Sequence, residues 1–142
     1  MKFLVTGATG FLGSAVAEHL KSEGHTVRLL IRPHHATAPY LAAGFEPVTG
    51  DLIDEPSLSE AVKNVDGVFH VAALYKFWTD HETDIYQVNV GGTETLLQAA
   101  RGAGVPKFVF TSSVGTLKSQ GWGVPIDEES VATPADLPDD YH

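Results

Sequence analysis

The sequence predicts an α/β fold with a doubly wound parallel sheet. Short apolar runs that suit buried strands alternate with stretches whose apolar residues recur at helical spacing. This alternation favours a parallel sheet with helices on both faces. The chain has 142 residues, 43% of them apolar, which suits one domain over residues 1–142.

The first apolar run, residues 2–6, breaks into three glycines at every third position: Gly7, Gly10 and Gly13. Gly7 is expected to end the strand in a conformation that few other residues tolerate, and Gly10 to let the main chain approach a pyrophosphate. Gly13 would let the following helix pack closely, with its N-terminal N–H groups directed at the phosphates. The pattern predicts a dinucleotide-binding turn. Its expected cofactor-binding residues are Gly7, Thr9, Gly10, Phe11, Leu12 and Gly13, and the apolar side of the helix is expected at Phe11, Leu12, Ala15, Val16 and Leu20.

Five strands and three helices account for the rest of the pattern. The strands are predicted at 2–6, 26–31, 45–48, 67–71 and 107–111, and the helices at 11–23, 56–64 and 82–102. Asp54 is expected to cap the second helix. The runs at 67–71 and 107–111 are continuously apolar, which is typical of strands buried on both faces. Residues 115–140 predict a long loop.

Right-handed crossovers between these strands give the sheet order 3-2-1-4-5. A ligand is then expected at the carboxyl ends of the first and fourth strands, where the order reverses. This is the Rossmann-type architecture, which commonly binds a dinucleotide.

Composition excludes several other functions. Eighteen acidic and nine basic residues give a net charge of −9, which disfavours nucleic acid and anionic membranes as partners. No run approaches the length of a membrane span, and Met1 leads directly into the first strand, so a cytoplasmic protein without a signal peptide is expected. Without cysteine, redox function would depend on a bound cofactor, and no metal site is predicted.

Five short motifs resemble those of the extended short-chain dehydrogenase/reductases, in order and in spacing. They span the whole chain and are similar above all to the NAD(P)-dependent epimerase/dehydratase group, including its dihydroflavonol-reductase-like and hopanoid-associated epimerase-like members. The motifs are residues 6–13, 50–52, 69–73, 89–93 and 110–113. Because such proteins continue with a further helix, strand and substrate-binding region, the resemblance implies that the chain is the N-terminal cofactor part of a longer enzyme.

The resemblance also implies roles for residues outside the glycine turn. Asp51, with Leu52 beside it, would accept a hydrogen bond from the adenine amino group, although a loop or capping role would also suit an aspartate. Ala72 and Ala73 would lie beside the adenosine ribose, unless they are small for packing alone. Asn89 would support the active-site loops from within the long helix, or else be solvated.

The end of the second strand bears on the choice of cofactor. Dinucleotide folds that prefer NAD place an acid there to bind the ribose 2′-hydroxyl, whereas arginine accommodates a 2′-phosphate. Ile31 stands where the acid is expected and Arg32 follows it. The sequence therefore favours NADP over NAD, with a solvated Arg32 as the alternative.

The family's chemistry uses a serine, a tyrosine and a lysine four residues after the tyrosine. By resemblance, Ser113 is the catalytic serine, its neighbour Ser112 is a cofactor-binding residue, and Tyr141 is the catalytic tyrosine. Ser113 would otherwise only cap backbone. The position of the lysine lies beyond His142, so the 142-residue chain is expected to be inactive on its own. These residues favour an NADP-dependent oxidoreductase acting on a carbonyl or alcohol. The alternatives are an NAD-using nucleotide-sugar epimerase or dehydratase and a non-catalytic, redox-sensing module.

The predicted helix at 82–102 has two apolar stripes, and two stripes need two partners. One is expected against the sheet. The resemblance implies that the other pairs with a second copy, so that the full-length protein is a homodimer; the alternative is that it covers a neighbouring helix of the same chain. The first stripe comprises Ile85, Val88, Gly92, Leu96 and Ala99, and the second Tyr86, Val90, Thr93 and Leu97.

Overall fold

The computed structural model describes residues 1–75 and 83–136. Its strands are β1 (Lys2–Thr6), β2 (Thr26–Ile31), β3 (Glu46–Thr49), β4 (Gly67–His70) and β5 (Phe108–Phe110). Its α-helices are α1 (Phe11–Ser22), α2 (Ala38–Ala42), α3 (Glu55–Ala61), α4 (Thr83–Tyr86) and α5 (Gly92–Gly102). A π-helical turn (Gln87–Gly91) joins α4 to α5, and short 3₁₀ turns cover Val114–Thr116 and Pro134–Asp136.

The five strands form one parallel sheet in the order β3-β2-β1-β4-β5. The predicted Rossmann-type fold and strand order are therefore confirmed. Among the neighbouring strands β1, β4 and β5, Thr6 of β1 pairs with His70 of β4, and His70 pairs with Phe110 of β5. Paired residues on neighbouring strands share a face, so these three side chains lie next to one another at the carboxyl edge of the sheet.

Two buried clusters cover the two faces of the sheet, because side chains alternate along each strand. One face packs under α3 and α5 and includes Leu4, Val68 and Leu96. The other packs under α1 and includes Val5, Leu29 and Ile31. Removing these side chains from water is the main favourable contribution to folding.

The helix α1 buries only part of the face that the sequence predicts. Its buried residues are Gly13, Ala17 and Leu20, and Val16 packs partly buried against the core, so the expected side is confirmed at Val16 and Leu20. It is wrong at Phe11, Leu12 and Ala15: Phe11 is 94% and Leu12 47% exposed, and Ala15 is exposed as well. The start of α1 lies at the edge of the sheet where the strands end, so Phe11 and Leu12 border the glycine turn instead of the core.

Four further details correct the sequence-based predictions. The predicted helix at 82–102 is interrupted by the π-helical turn, and α2 was not predicted at all. Asp54 precedes α3 as expected, but its side chain makes no capping hydrogen bond. The strand β5 is not buried on both faces, since Val109 is 48% and Phe110 53% exposed at the edge of the sheet.

Candidate functional site

The turn after β1 accepts only glycine at two positions. Gly7 has a φ of +74°, and a Cβ added to it would lie 2.7 Å from the backbone nitrogen of Ala72. A Cβ on Gly13 would lie 2.2 Å from the carbonyl oxygen of Gly7. Both distances are far below van der Waals contact. The first turn of α1 is therefore pressed against the end of β1, and the end of β1 against the segment that follows β4.

The N-terminus of α1 forms the open side of this turn. Gly10 is the residue before the helix, and no side chain caps the first turn. The amide of Gly10 donates to the carbonyl of Gly7 at 2.9 Å, which closes the turn. The first N–H groups of a helix have no partner within the helix, and they carry its partial positive charge. With Thr9, Phe11 and Leu12 exposed around them, they present the kind of helix N-terminus that suits an anion.

The loop after β3 is held by its own polar contacts. The Asp51 carboxylate accepts from the amide of Ile53 at 3.3 Å, and the amide of Asp51 donates to the Ser57 hydroxyl at 3.1 Å. Leu52 is only 6% exposed and belongs to the core. A Cβ added to Gly92 would lie 2.8 Å from the Cβ of Leu52. The Leu52 side chain therefore packs the loop onto α5, and only its main chain can face a ligand.

The end of β2 lies beside that loop. Ile31 is fully buried, and its carbonyl accepts from the amide of Gly50 at 2.9 Å. Packing alone therefore explains an apolar residue at this position. Arg32 is exposed and begins a turn that its carbonyl closes with the amide of His35. Within the described residues, Nε2 of His35 is buried without a hydrogen-bond partner.

A shallow cavity lies at the carboxyl ends of β4 and β5, next to the π-helical turn. Asn89 bonds both main-chain groups of Leu74: its Oδ1 accepts from the amide at 2.6 Å, and its Nδ2 donates to the carbonyl at 3.1 Å. It thereby fixes the segment that follows β4. The residues that line the cavity are Ala72, Ala73, Asn89, Thr93, Phe110, Thr111, Ser112 and Ser113.

Ser113 lies in the wall of this cavity and is partly buried. Its Oγ accepts from the amide of Gly115 at 3.1 Å and caps the 3₁₀ turn. That contact leaves the hydroxyl hydrogen for another acceptor. The Ser112 hydroxyl lies 3.4 Å from that of Thr116. Tyr141, the predicted catalytic tyrosine, lies outside the described residues.

Sequence reasoning missed a buried polar row beneath the cavity. Nδ1 of His70 lies 2.7 Å from the Thr6 hydroxyl, and its Nε2 lies 2.8 Å from the Thr93 hydroxyl. His70 is fully buried, and burial lowers the pKa of its imidazole from 6.5 to about 4. Thr93 was expected on the outer stripe of the helix, but it turns inward to this histidine. Two polar residues within apolar strands, at matching distances from their carboxyl ends, were the available signal.

A family model and known proteins match most of this chain. A family model described as the NAD dependent epimerase/dehydratase family matches residues 3–141. A putative dihydroflavonol 4-reductase from Synechocystis is 37% identical over 126 residues, which are 89% of this chain and 36% of that protein. The chain thus spans little more than a third of the length of this relative.

Solved structures match the chain as well. The crystal structure of gox2253 superposes with a TM-score of 0.87 at 42% identity, over 98% of this chain and 42% of the other. A short-chain dehydrogenase/reductase superfamily protein from Agrobacterium tumefaciens, solved with bound NAD, superposes with a TM-score of 0.81 at 33% identity, over 99% of this chain and 40% of the other.

The described residues also bear on membrane spans and metal sites. None of the helices within 1–75 and 83–136 has the length and hydrophobicity needed to cross a membrane. The same residues contain no group of three or more histidine, aspartate or glutamate side chains that could hold a metal ion.

Proposed function

Since the chain belongs to the NAD dependent epimerase/dehydratase family, whose members use a nicotinamide dinucleotide, we propose that it binds NADP(H) for hydride transfer with a carbonyl or alcohol substrate. The observation that carries the proposal is the glycine turn. Its backbone comes so close to neighbouring backbone that Cβ atoms are excluded at Gly7 and Gly13. A surface of uncapped main-chain N–H groups is left facing outward.

The described residues fit the parts of such a cofactor. The first turn of α1 would bind the pyrophosphate through its N–H groups. The Asp51 carboxylate would accept from the adenine amino group, and its bond to Ile53 uses only part of its acceptor capacity. Ala72 and Ala73 would lie beside the ribose, where small side chains leave room, and Asn89 would hold the segment that bears them.

The preference for NADP over NAD rests on Arg32. Its exposed guanidinium follows the buried Ile31 directly, and a planar pair of N–H donors suits a phosphate. Ile31 offers no acceptor to a ribose hydroxyl. The carboxylate of Asp51, near the end of the next strand, is assigned to adenine in this proposal.

The chemistry would take place in the cavity beside β4 and β5. The nicotinamide ring gives or takes the hydride when it is bound. Ser113 would hold the substrate oxygen through its hydroxyl hydrogen, and Tyr141 would exchange the proton. The family pattern places the tyrosine's lysine after His142, so we propose that the 142 residues by themselves bind the cofactor without turnover. This is tested by incubating the chain with NADPH and a panel of aldehydes and ketones, and robust oxidation of NADPH would contradict it.

We also propose that two copies associate through the outer stripe of the long helix. Tyr86, Val90 and Leu97 are 58%, 43% and 49% exposed. Large apolar side chains exposed along a helical segment are typical of a surface that another helix covers.

The cofactor proposal is tested by calorimetric titration of NADPH and NADH into the chain. We expect NADPH to bind more tightly, and Arg32→Ala to weaken NADPH binding about 10- to 100-fold while NADH changes little. Arg101→Ala is the matched control, because Arg101 is an exposed arginine at the far end of α5.

Each outcome is informative. Equal affinities in the parent chain would overturn the NADP preference. Tighter binding of NADH, the reduced form of the cofactor that the Agrobacterium structure holds, would favour the NAD-using epimerase or dehydratase type. Absence of binding for both would overturn the proposed function itself.

A further inference from the structure

We propose that His70 is a positioning residue: its ring joins the hydroxyls of Thr6 and Thr93 and so fixes two walls of the cofactor cavity relative to each other. The inference rests on the proposed function for the identity of the cofactor. The polar row itself rests only on the geometry of this chain.

The hydrogen bonds determine which ring nitrogen carries the proton. The Thr93 hydroxyl donates to the carbonyl of Asn89, and a hydroxyl has a single hydrogen. At the 2.8 Å contact, Thr93 must therefore accept from Nε2 of His70. A neutral ring with its proton on Nε2 has an acceptor at Nδ1, so the Thr6 hydroxyl donates there at 2.7 Å.

The first wall is the segment that follows β4. The Thr6 oxygen, whose hydrogen points to His70, accepts from the amides of Val71 and Ala72 at 3.2 Å each. Gly7 touches the same stretch from the side, since a Cβ there would collide with Ala72. The end of β1 thus holds the start of the segment that contains Ala72 and Ala73.

The second wall is the π-helical turn. Its carbonyls at Asn89 and Gly91 accept from the hydroxyls of Thr93 and Thr95, respectively. Turns of this type often lie at functional sites because they alter the direction of a few side chains. The altered side chain here is Asn89, which holds both main-chain groups of Leu74.

The row therefore closes a ring of contacts around residues 71–74. Thr6 holds one end and Asn89 the other, and His70 joins Thr6 to the helical turn that carries Asn89. Every donor and acceptor in the row has one consistent direction. A protonated Nδ1 would point a hydrogen at a Thr6 oxygen that already accepts two, and the row could not form.

The tautomer is tested directly by NMR on the chain with ¹⁵N-labelled histidine at pH 7. Long-range ¹⁵N–¹H correlations should show His70 with a protonated Nε2 and an unprotonated Nδ1. A ring protonated on Nδ1, an averaged mixture of tautomers, or a charged ring would overturn the inference. This measurement needs no variant, so a loss of folding cannot obscure it.

The positioning role is tested by titrating NADPH into Thr6→Val, Thr93→Val and the double variant. Each single change should weaken NADPH binding about tenfold, since each removes a hydroxyl of the row and so releases one wall. The double variant should bind NADPH little more weakly than the single variant with the lower affinity, because both changes interrupt the same row. Thr93→Ser, which keeps the hydroxyl, should restore affinity to within about twofold of the parent.

Thr95→Val is the matched control, since its hydroxyl bonds the same π-helical turn outside the row. It should leave NADPH affinity within about twofold of the parent. Additive losses in the double variant, or equal losses in Thr95→Val and Thr93→Val, would overturn the positioning role. A parent chain that binds no nicotinamide dinucleotide would overturn both the proposed function and this role, whereas a wrong tautomer with intact binding would overturn this inference alone.

Discussion

The two edges of the proposed cofactor site are held in different ways. The glycine turn after β1 is shaped by backbone approach, with Gly7 and Gly13 in contacts that leave no room for a Cβ. The segment after β4 is shaped by side-chain hydrogen bonds from Thr6 and Asn89, joined through His70. Close backbone packing leaves no room for an added atom. The hydrogen-bonded row depends instead on which groups donate and accept, and so on the protonation of His70.

The largest effect is expected where this comparison predicts the least tolerance. Gly13→Ala places a Cβ 2.2 Å from the carbonyl oxygen of Gly7, so backbone must move and α1 must lift from β1. We expect a loss of at least about 3 kcal/mol in the free energy of unfolding, measured in denaturant.

Gly102→Ala is its control, because nothing lies within 4 Å of a Cβ at that position in α5. It should be neutral or stabilise the chain by up to about 1 kcal/mol, as alanine is the better helix former. Similar losses in the two variants would mean that general helix effects, rather than the close approach of α1, determine the result.

The next effect should appear on acidification, at the hydrogen-bonded edge. In the folded chain burial lowers the pKa of His70 from 6.5 to about 4. Between these values the unfolded chain binds the extra proton and the folded chain does not, so stability falls as pH falls. From pH 7 to pH 5 the loss should be about 2 kcal/mol.

The interval from pH 7 to pH 5 also separates this effect from that of the carboxylates. The pKa of Glu46 is held below its ordinary 4.5, mainly by its hydrogen bond to Lys2, so its contribution is lost only at lower pH. Denaturant unfolding at several pH values, compared with His70→Gln, isolates the histidine. An unchanged pH slope in that variant would contradict the assignment.

The sequence predicted the backbone-shaped edge well and the hydrogen-bonded edge poorly. Three glycines at every third position after a strand predict the shape of the turn by themselves, because the conformations that require glycine are local. In the row of Thr6, His70 and Thr93, Thr6 and His70 lie more than sixty positions apart in the sequence. No local spacing shows that they meet, and the sequence pattern places His70 within an apolar strand.

The long helix gives the same lesson within one element. Periodicity predicted its inner stripe, and Leu96 is indeed fully buried. Periodicity depends only on local spacing, so it did not predict the π-helical turn at Gln87–Gly91, where Asn89 contacts Leu74 and, just beyond it, Thr93 contacts His70. For the same reason periodicity placed Thr93 on the outer stripe.

A smaller effect is expected from Asn89→Ala. It leaves the amide and carbonyl of Leu74 without their Asn89 partner, and should reduce the free energy of unfolding by about 1 kcal/mol. Gln98→Ala, which removes only an exposed contact with Glu94 on the same helix, should cost about 0.3 kcal/mol. Equal costs would show that the Leu74 contact adds no stability.

The smallest effect on stability should come from the outer stripe. Leu97→Glu adds a charge at a half-exposed position and should change the free energy of unfolding by less than about 0.5 kcal/mol. It should nevertheless reduce self-association of the chain in light scattering. Leu41→Glu, at an exposed leucine of α2, is the control, and an equal response of both would place the interface elsewhere.

Whether the two edges form one cofactor site is tested most directly by NMR titration of the ¹⁵N-labelled chain with NADPH. The account predicts that the amides of residues 10–13, at the backbone-shaped edge, and those of Ala72, Ala73 and Leu74, at the hydrogen-bonded edge, shift together with one binding curve. Amides at the far ends of the strands, such as that of Asp66, should stay unchanged. Shifts confined to one edge, or two different binding curves, would contradict it.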